Sequence, residues 1–149
     1  MMEKKNEASN DAQIRKLVDQ WAASIGAKHV DAVMSYYGTD VAVFDLAPPP
    51  EYRGAAAYRA NWEAWFPTFR GRIGYELRDL KVAASKDTAF SHSFNRITGI
   101  RTSGEKTDVW VRATLCWRRI NGKWKIVHEH QSVPFYMDGS YRAAIDLKP

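Results

Sequence analysis

The chain has 149 residues, of which 45% are apolar and 13% aromatic, and its formal net charge is +5. This length and composition predict one globular domain with a real core and exclude a disordered chain. Lys and Arg are scattered among acids, with no run longer than two, so the positive charge favours solubility over nucleic-acid binding.

Membrane spans and secretion are not expected from the sequence. No apolar run approaches the roughly 20 residues that a bilayer span requires. The polar N-terminus is not followed by the apolar segment of a signal peptide. The single Cys116 offers neither an internal disulfide nor a thiolate metal site, which is typical of a reducing, cytoplasmic setting.

The first half of the chain shows mainly helical patterns. Residues 1–10 are predicted to form a disordered or loosely attached tail, and residues 11–149 a single domain. From Asp11 to Gly26, apolar residues recur at the 3, 4 spacing of one buried helical face. These residues are Ile14, Leu17, Val18, Trp21 and Ile25. Further helices are predicted over 29–38 and 54–69, and a short strand over 40–47.

The second half of the chain predicts a sheet. Strands are expected over residues 73–85, 88–101, 107–120 and 123–133. The break at Asn121-Gly122 is a strong hairpin signal. Helices followed by a meander predict an α+β fold, with three N-terminal helices packed on one face of a strongly curved antiparallel sheet.

Two neighbouring strands each carry a face that mixes aromatic and charged side chains. In residues 109–116 this face holds Trp110, Arg112, Thr114 and Cys116, opposite a wholly aliphatic face. In residues 90–96 it holds Phe90, His92, Phe94 and Arg96, opposite small polar residues. Such a mixture is typical of the wall of a ligand cavity. Surface arginines lying over tryptophans explain the pattern equally well.

The last strand, IVHEHQSV, contains three titratable side chains whose orientation the pattern leaves open. One face holds Trp124, Ile126, His128 and His130, and the other holds Val127, Glu129, Gln131 and Val133. Whichever face is covered, at least one ionisable group enters the interior. Buried groups of this kind are usually paired.

The order of these elements resembles the SnoaL-like group of the NTF2-like superfamily, to which ketosteroid isomerase belongs. The resemblance covers about residues 11 to 136 and rests on DVAVFD, YRGAAAYRANWEAWF and WRRINGKWKIVHEHQSVP. It implies a cone in which helices and a curved sheet enclose a cavity. Its functional implication is weak, because this scaffold serves enzymes, binding proteins and association domains. The last segment also resembles the association domain of calcium/calmodulin-dependent kinase, an oligomerisation module.

The comparison with the isomerase places Asp45 on the general base that moves a proton between two carbons. Tyr37 retains a pocket tyrosine, whereas Trp21 and Trp62 replace the oxyanion-hole tyrosine and the tyrosine that supports it. Thr114, within one residue, replaces the protonated aspartate. The remaining pocket positions are His92, Phe94, Arg96, Glu129 and Gln131. Losing one oxyanion donor typically costs about 10²–10³ in rate, which argues against steroid isomerisation.

An enzyme acting on a small organic molecule is the first functional hypothesis. Asp45 would be the base, His92 or His130 the acid, and Arg96 or Arg112 would hold a carboxylate or enolate. The reaction would be an isomerisation, dehydration or cyclisation, and scytalone dehydratase is a relative of this fold. The alternative for Asp45 is a structural aspartate that caps the proline turn.

Two further hypotheses do not involve catalysis by Asp45. In a non-catalytic pocket or oligomerisation module, Arg96, Arg112 and Glu129 would form a buried ion-pair network or bind an acidic ligand. A metal at His128 and His130 would need a third ligand that the neighbouring sequence does not provide. We therefore expect no metal or cofactor, a small-molecule ligand, no nucleic-acid or membrane partner, and a homodimer formed through the broad outer face of the sheet.

Overall fold

The computed structural model of the protein describes residues 2–149 and has an α+β architecture. Within these residues, three α-helices and one short 3₁₀ helix accompany a six-stranded sheet. The helices are α1 (Met2–Gly26), α2 (Val30–Met34) and α3 (Ala55–Trp65), and the 3₁₀ helix spans Phe66–Thr68. The strands are β1 (Tyr37–Phe44), β2 (Tyr52–Arg53), β3 (Phe69–Ala84), β4 (Thr88–Arg101), β5 (Lys106–Ile120) and β6 (Lys123–Ser132).

Helix α1 begins at Met2, so residues 2–10 extend the helix where a disordered tail is predicted. These residues are rich in Glu, Lys and Ala, which have high helix propensity, so the helix continues without packing. Asn10 is the first buried side chain, and its amide donates to the Ser85 carbonyl oxygen at 2.9 Å. Beyond it the predicted stripe is buried at Ile14, Val18, Trp21 and Ile25.

The sheet has the strand order β2-β1-β6-β5-β4-β3. Strands β3 to β6 form the predicted antiparallel meander. Strand β1, however, runs parallel to β6, so the sheet is mixed and not wholly antiparallel. No hairpin joins these two strands. The chain reaches β6 only after α3 and the meander, and a connection of that length allows the parallel arrangement.

A tight turn and a bulge interrupt the regular pairing of the sheet. Asn121 and Gly122 have φ values of 50° and 78°, which two-residue hairpin turns of the primed type require. Strand β3 contains a bulge at Asp79, where the pairing with β4 shifts by one residue and φ is 56°. Bulges bend a strand and increase its local twist.

The core lies between the helices and the face of the sheet that they cover, called here the inner face; the opposite face is the outer face. Inner-face side chains include Val111, Leu115, Trp117 and Ile126, all at most 3% exposed. They pack in one cluster with the buried stripe of α1 and with Tyr58 and Trp62 of α3. Within residues 2–149, no helix is both long enough and apolar enough to cross a bilayer.

Candidate functional site

The face of strand β4 that is predicted to line a cavity points away from the interior, and the opposite face points inward. Its inner face carries Ser91, Asn95 and Ile97, which are 2%, 0% and 7% exposed. His92, Phe94 and Arg96 therefore lie on the outer face and do not line the cavity. The inner residues are small because aromatic rings from other strands cover them and use their polar atoms.

Strand β5 follows the same rule. Its inner face is the aliphatic one, so Trp110, Arg112 and Thr114 also lie on the outer face and do not line the cavity. Trp110 is only 8% exposed because the Arg78 guanidinium lies 4.5 Å from its ring centre and that of Arg96 lies 5.9 Å away. This face therefore matches the alternative explanation, in which surface arginines lie over a tryptophan.

Strand β6 contains a bulge at Val127, which decides the orientation of its titratable side chains. Consecutive residues of β5 pair with His128 and with Ile126, so Val127 has no partner in that ladder. The strict alternation assumed from the sequence therefore breaks at this point. The inward-facing side chains of β6 are Trp124 and Ile126 before the bulge, and Glu129 and Gln131 after it.

A cavity of about 190 Å³ lies between α3, the loop after β1 and the inner face of the sheet. Its apolar wall includes Trp62, Trp65, Ile97 and Val109. The polar groups that converge on it are Asp45, Asn61, Tyr75, Arg101, Thr107 and Gln131. An apolar cavity of roughly 150 Å³ binds benzene, so this space fits a small organic molecule.

A larger depression of about 800 Å³ lies elsewhere, between β1 and the β5–β6 hairpin. Its lining is mostly polar and includes the basic side chains of Arg118, Lys123 and Lys125. Of the predicted site residues, Tyr37 alone contributes to it. A mostly apolar lining with a few converging polar groups favours the smaller cavity as the candidate site.

Asp45 lies directly after β1, on the wall of the cavity. Its Oδ1 accepts from the Leu46 N–H at 2.6 Å, which is the local turn contact that a structural aspartate makes. Its Oδ2 accepts from the Tyr58 hydroxyl at 2.9 Å and from the Asn61 amide at 3.2 Å. Donors from both the turn and α3 therefore fix the carboxylate at the cavity wall.

Glu129 lies behind the cavity and is fully buried. Its Oε1 accepts from the Tyr37 hydroxyl at 2.6 Å. Its Oε2 contacts the Tyr58 hydroxyl at 2.7 Å and accepts from the Gln131 amide at 2.9 Å. None of the ion pairs found in residues 2–149 includes Glu129. Neutral donors therefore hold this carboxyl without a compensating cation.

Burial raises the pKa of Glu129 from 4.5 to about 7, because the charged form loses its hydration. The negative charge of Asp45 raises this pKa further, while the hydrogen bonds from Tyr37 and Tyr58 oppose the rise. Burial also raises the pKa of both tyrosines well above the ordinary value, so their hydroxyls stay protonated. Burial thus favours the neutral forms of Glu129, Tyr37 and Tyr58.

Of the positions that correspond to the tyrosines and the protonated aspartate of the isomerase, Trp21, Tyr37 and Trp62 lie in the interior and Thr114 does not. The Trp21 indole N–H donates to the Tyr37 hydroxyl at 3.0 Å, and both side chains are buried. Trp62 lines the cavity, and its indole N–H has no hydrogen-bond partner within residues 2–149. Thr114 is on the outer face, and its inward-facing neighbour Ala113 has no polar group. A protonated aspartate therefore has no counterpart at either position.

Arg101 is the cavity guanidinium, and the sequence reasoning missed it. Its Nε donates to Thr107 Oγ1 at 2.9 Å and its Nη1 to Thr68 Oγ1 at 2.6 Å, while its guanidinium carbon lies 4.0 Å from the centre of the Phe69 ring. The sequence does contain an indication of this position, because Arg101 and Ile97 are four residues apart and so lie on the same face of β4. Choosing the inner face of β4 from Ile97 would have placed Arg101 at the same face.

Tyr58 and Asn61 of α3 were also missed. They precede Trp62 by four residues and by one, so Tyr58 shares its helical face and Asn61 lies beside it. The apolar pattern of the helix indicates this face, but it does not indicate that a hydroxyl and an amide beside it meet Asp45.

The histidines of β6 lie outside the cavity. The Nδ1–H of His128 donates to the Ala42 carbonyl oxygen at 2.8 Å, and the ring lies on the outer face. His130, a predicted acid, is exposed on the same face. No group of three or more His, Cys, Asp or Glu side chains within residues 2–149 is arranged to hold a metal ion.

Comparison with known proteins identifies the family. A model of the SnoaL-like domain matches residues 14–136. The chain belongs to the SnoaL-like family. An NTF2-like protein of unknown function from Pseudomonas putida KT2440 is 32% identical to this member, with 95% of this chain and 98% of that chain covered and a TM-score of 0.87. No curated protein sequence matches significantly.

More distant structures share the fold of this SnoaL-like protein. The CaMKII association domain of C. elegans is 16% identical over 85% of this chain and 98% of its own, with a TM-score of 0.68. A candidate dehydratase of the NTF2-like family from Streptomyces avermitilis is 17% identical over 83% and 96%, with a TM-score of 0.72. The predicted NTF2-like fold is confirmed. These structures are named for different functions, so the shared fold alone does not indicate which function this protein has.

Proposed function

We propose that the protein binds a small organic acid in the cavity and that Asp45 acts on it as a general base. The proposal rests on one observation: the Asp45 carboxylate and the Arg101 guanidinium line the same small, mostly apolar space. Apolar walls with a few converging polar groups are typical of ligand sites. The reaction would be an isomerisation, dehydration or cyclisation that needs no cofactor.

Arg101 takes the anion-binding role that the sequence assigned to Arg96 or Arg112. Its Nε and Nη1 are fixed by two threonines, which orients the guanidinium and leaves Nη2 outside those two bonds. A carboxylate meeting a guanidinium forms a charge-assisted hydrogen bond, about twice as strong as a neutral one. An acidic group at Arg101 would direct the rest of the ligand along the apolar wall.

Asp45 would remove a proton from a carbon next to a carbonyl or similar group of the ligand. The C–H bond breaks, the proton passes to an oxygen of Asp45, and the electron pair remains as an enolate. Asp45 then returns the proton to another carbon, or the enolate expels a hydroxyl group as water with that proton. With His92 and His130 on the outer face, Asp45 itself serves as the acid.

Ligand binding can be tested by thermal shift with small carboxylic acids and their matched amides. We expect the acids, and not the amides, to stabilise the wild type. Arg101→Met should lose this stabilisation, while the control Arg112→Met, on the outer face, should keep it. Equal stabilisation of Arg101→Met by acids would contradict the anion-binding role.

Base catalysis can be tested by incubating the stabilising acids with protein in D₂O and following deuterium uptake by NMR. The wild type should exchange a C–H next to the carbonyl, and Asp45→Asn should slow this by about 10²-fold or more. Asp108→Asn, which removes an outer-face carboxylate, is the matched control. Undiminished exchange in Asp45→Asn would remove Asp45 from the mechanism. Binding without any exchange would favour the alternative, a non-catalytic binding module.

We also propose that the protein is a homodimer joined through the outer face. Phe44 and Phe90 on this face are 39% and 48% exposed. A symmetric pair of such faces would bury these rings. Sedimentation analysis should show a dimer that Phe90→Glu dissociates, whereas Phe135→Glu, in the segment after β6, leaves it intact. A monomeric wild type would refute this arrangement.

A further inference from the structure

We propose that Asp45 and Glu129 share one proton through Tyr58, so that Glu129 is a carboxylic acid while Asp45 is a carboxylate. This inference deepens the proposed function and rests on it for its catalytic meaning. It follows from the number of protons that Asp45 Oδ2, the Tyr58 hydroxyl oxygen and Glu129 Oε2 must hold between them. That count does not depend on any ligand.

The count starts from the Tyr58 hydroxyl oxygen, which lies 2.9 Å from Asp45 Oδ2 and 2.7 Å from Glu129 Oε2. Both distances are those of O–H···O hydrogen bonds. A phenol carries one proton and can donate in only one direction at a time. If both carboxylates were ionised, one contact would bring two oxygens together without a proton between them. A second proton must therefore reside on Asp45 or on Glu129.

Burial and partners place that proton on Glu129. Glu129 is fully buried, whereas Asp45 is half-buried at the cavity wall and accepts a backbone N–H and an amide N–H, which stabilise its charge. Besides Asp45, the groups that face Glu129 come from four elements: Tyr37 of β1, Tyr58 of α3, Tyr75 of β3 and Gln131 of β6. None of them is cationic, so nothing nearby favours the ionised form of Glu129.

The hydrogen bonds then run in one direction. Glu129 Oε2–H donates to the Tyr58 oxygen, and the Tyr58 hydroxyl donates to Asp45 Oδ2. A concerted shift breaks the O–H bond of Glu129 and of Tyr58 and forms one at Tyr58 and one at Asp45. The pair keeps a single negative charge, and Asp45 changes from base to acid. Glu129 does not line the cavity, so it is a positioning residue that acts through Asp45.

The proton count can be measured on the ligand-free protein. Infrared spectroscopy at pH 6 should show the carbonyl stretch of one buried, protonated carboxyl group, and Glu129→Gln should lose it. The control Glu105→Gln, an exposed side chain, should retain the band. Absence of the band in the wild type, or its persistence in Glu129→Gln, would overturn the proposal.

The link through Tyr58 needs a second measurement. With ¹³C-labelled Asp and Glu side chains, NMR titration should show that the Asp45 and Glu129 carboxyl signals respond to each other's protonation. Tyr58→Phe should remove this coupling, and persistence of the coupling would overturn the role of Tyr58. If Tyr58→Phe does not fold, Asp45→Asn serves instead. It should move the Glu129 titration to lower pH, and an unmoved titration would contradict the sharing.

These outcomes separate the inference from the proposed function. A protein that shows the shared proton but exchanges no ligand C–H in D₂O keeps the inference and loses the base role. A protein that exchanges a ligand C–H but has no protonated buried carboxyl keeps the base role and loses the sharing.

Discussion

The buried carboxyl of Glu129 should make the protein less stable as the pH rises from 4.5 to about 7. In this window the unfolded chain has released the proton of residue 129, because its pKa there is the ordinary 4.5, while the folded protein still holds it, because its pKa is about 7. The folded state thus binds more protons, and the free energy of unfolding falls as pH rises. The difference is about 2.5 pH units at about 1.4 kcal/mol each, so the expected loss is about 3–4 kcal/mol.

Other carboxyl groups act in a different pH range. The Arg96 guanidinium lowers the pKa of Asp108, and the Ser140 hydrogen bonds lower that of Asp138, both from 3.8. Groups of this kind add stability above their unfolded pKa and lose it as the pH falls below that value. Their effect is therefore complete by pH 4.5, and the decline above it is assigned to Glu129.

Urea unfolding followed by tryptophan fluorescence from pH 4.5 to 8 measures this decline. Glu129→Gln, which cannot ionise, should show a free energy of unfolding that is nearly constant across the window. The control Glu105→Gln should keep the wild-type decline. A wild-type stability that is flat or rises between pH 4.5 and 7, or a Glu129→Gln curve parallel to the wild type, would refute the reasoning.

Three further predictions concern packing. Trp21→Phe should lower the free energy of unfolding by about 2 kcal/mol, since it leaves a small cavity and removes the N–H that donates to Tyr37. Gly99→Ala should cost about 1–3 kcal/mol, because a Cβ there would lie 2.8 Å from a carbon of the Phe69 ring. Deleting Val127 should cost less than deleting a residue in the regular part of β6, because it removes the bulge and keeps every inward side chain inward. Urea unfolding measures all three.

The fold was predictable because its signals are local. The 3, 4 spacing from Ile14 to Ile25 depends only on residues within one helix, and the Asn121-Gly122 turn depends on two residues that adopt positive φ. The parallel pairing of β1 with β6 was not predictable in this way. This pairing depends on where β1, which is far from β6 in the sequence, meets the edge of the meander. The residue pattern within β1 or β6 contains no information on that position.

The bulge at Val127 explains why the orientation of Glu129 could not be predicted. A bulge shifts the parity of every later residue in a strand, and neither glycine nor proline marks this one. With strict alternation, Glu129 and His128 belong to opposite faces, and Ile126 shares the face of His128. In the structure Ile126 and Glu129 are both fully buried. The unpaired Val127 thus allows both Ile126 and Glu129 to face the interior.

The inner face of β4 shows a second limit of pattern reasoning. Small polar residues looked like a solvent-facing side, yet they are partners for large aromatic side chains with polar edges. The Asn95 amide donates to the Tyr75 hydroxyl at 3.1 Å, and the Trp117 N–H donates to Ser91 Oγ at 3.4 Å. A mixed aromatic and charged face is equally suited to stacking at a surface, so composition alone could not choose the cavity side.

In the comparison with the isomerase, Trp21 only replaces the tyrosine that donates in the oxyanion hole. In this structure it also sets the direction of a hydrogen-bond network. An indole N–H donates and cannot accept, so the hydrogen bond with Tyr37 has one possible direction. Tyr37, having accepted from Trp21, directs its own proton to Glu129 Oε1. Oε1 must then accept, and the proton of the neutral carboxyl resides on Oε2, the oxygen that faces Tyr58. A tyrosine at position 21 could donate or accept and would leave this direction open. The tryptophan therefore orients the network towards Asp45.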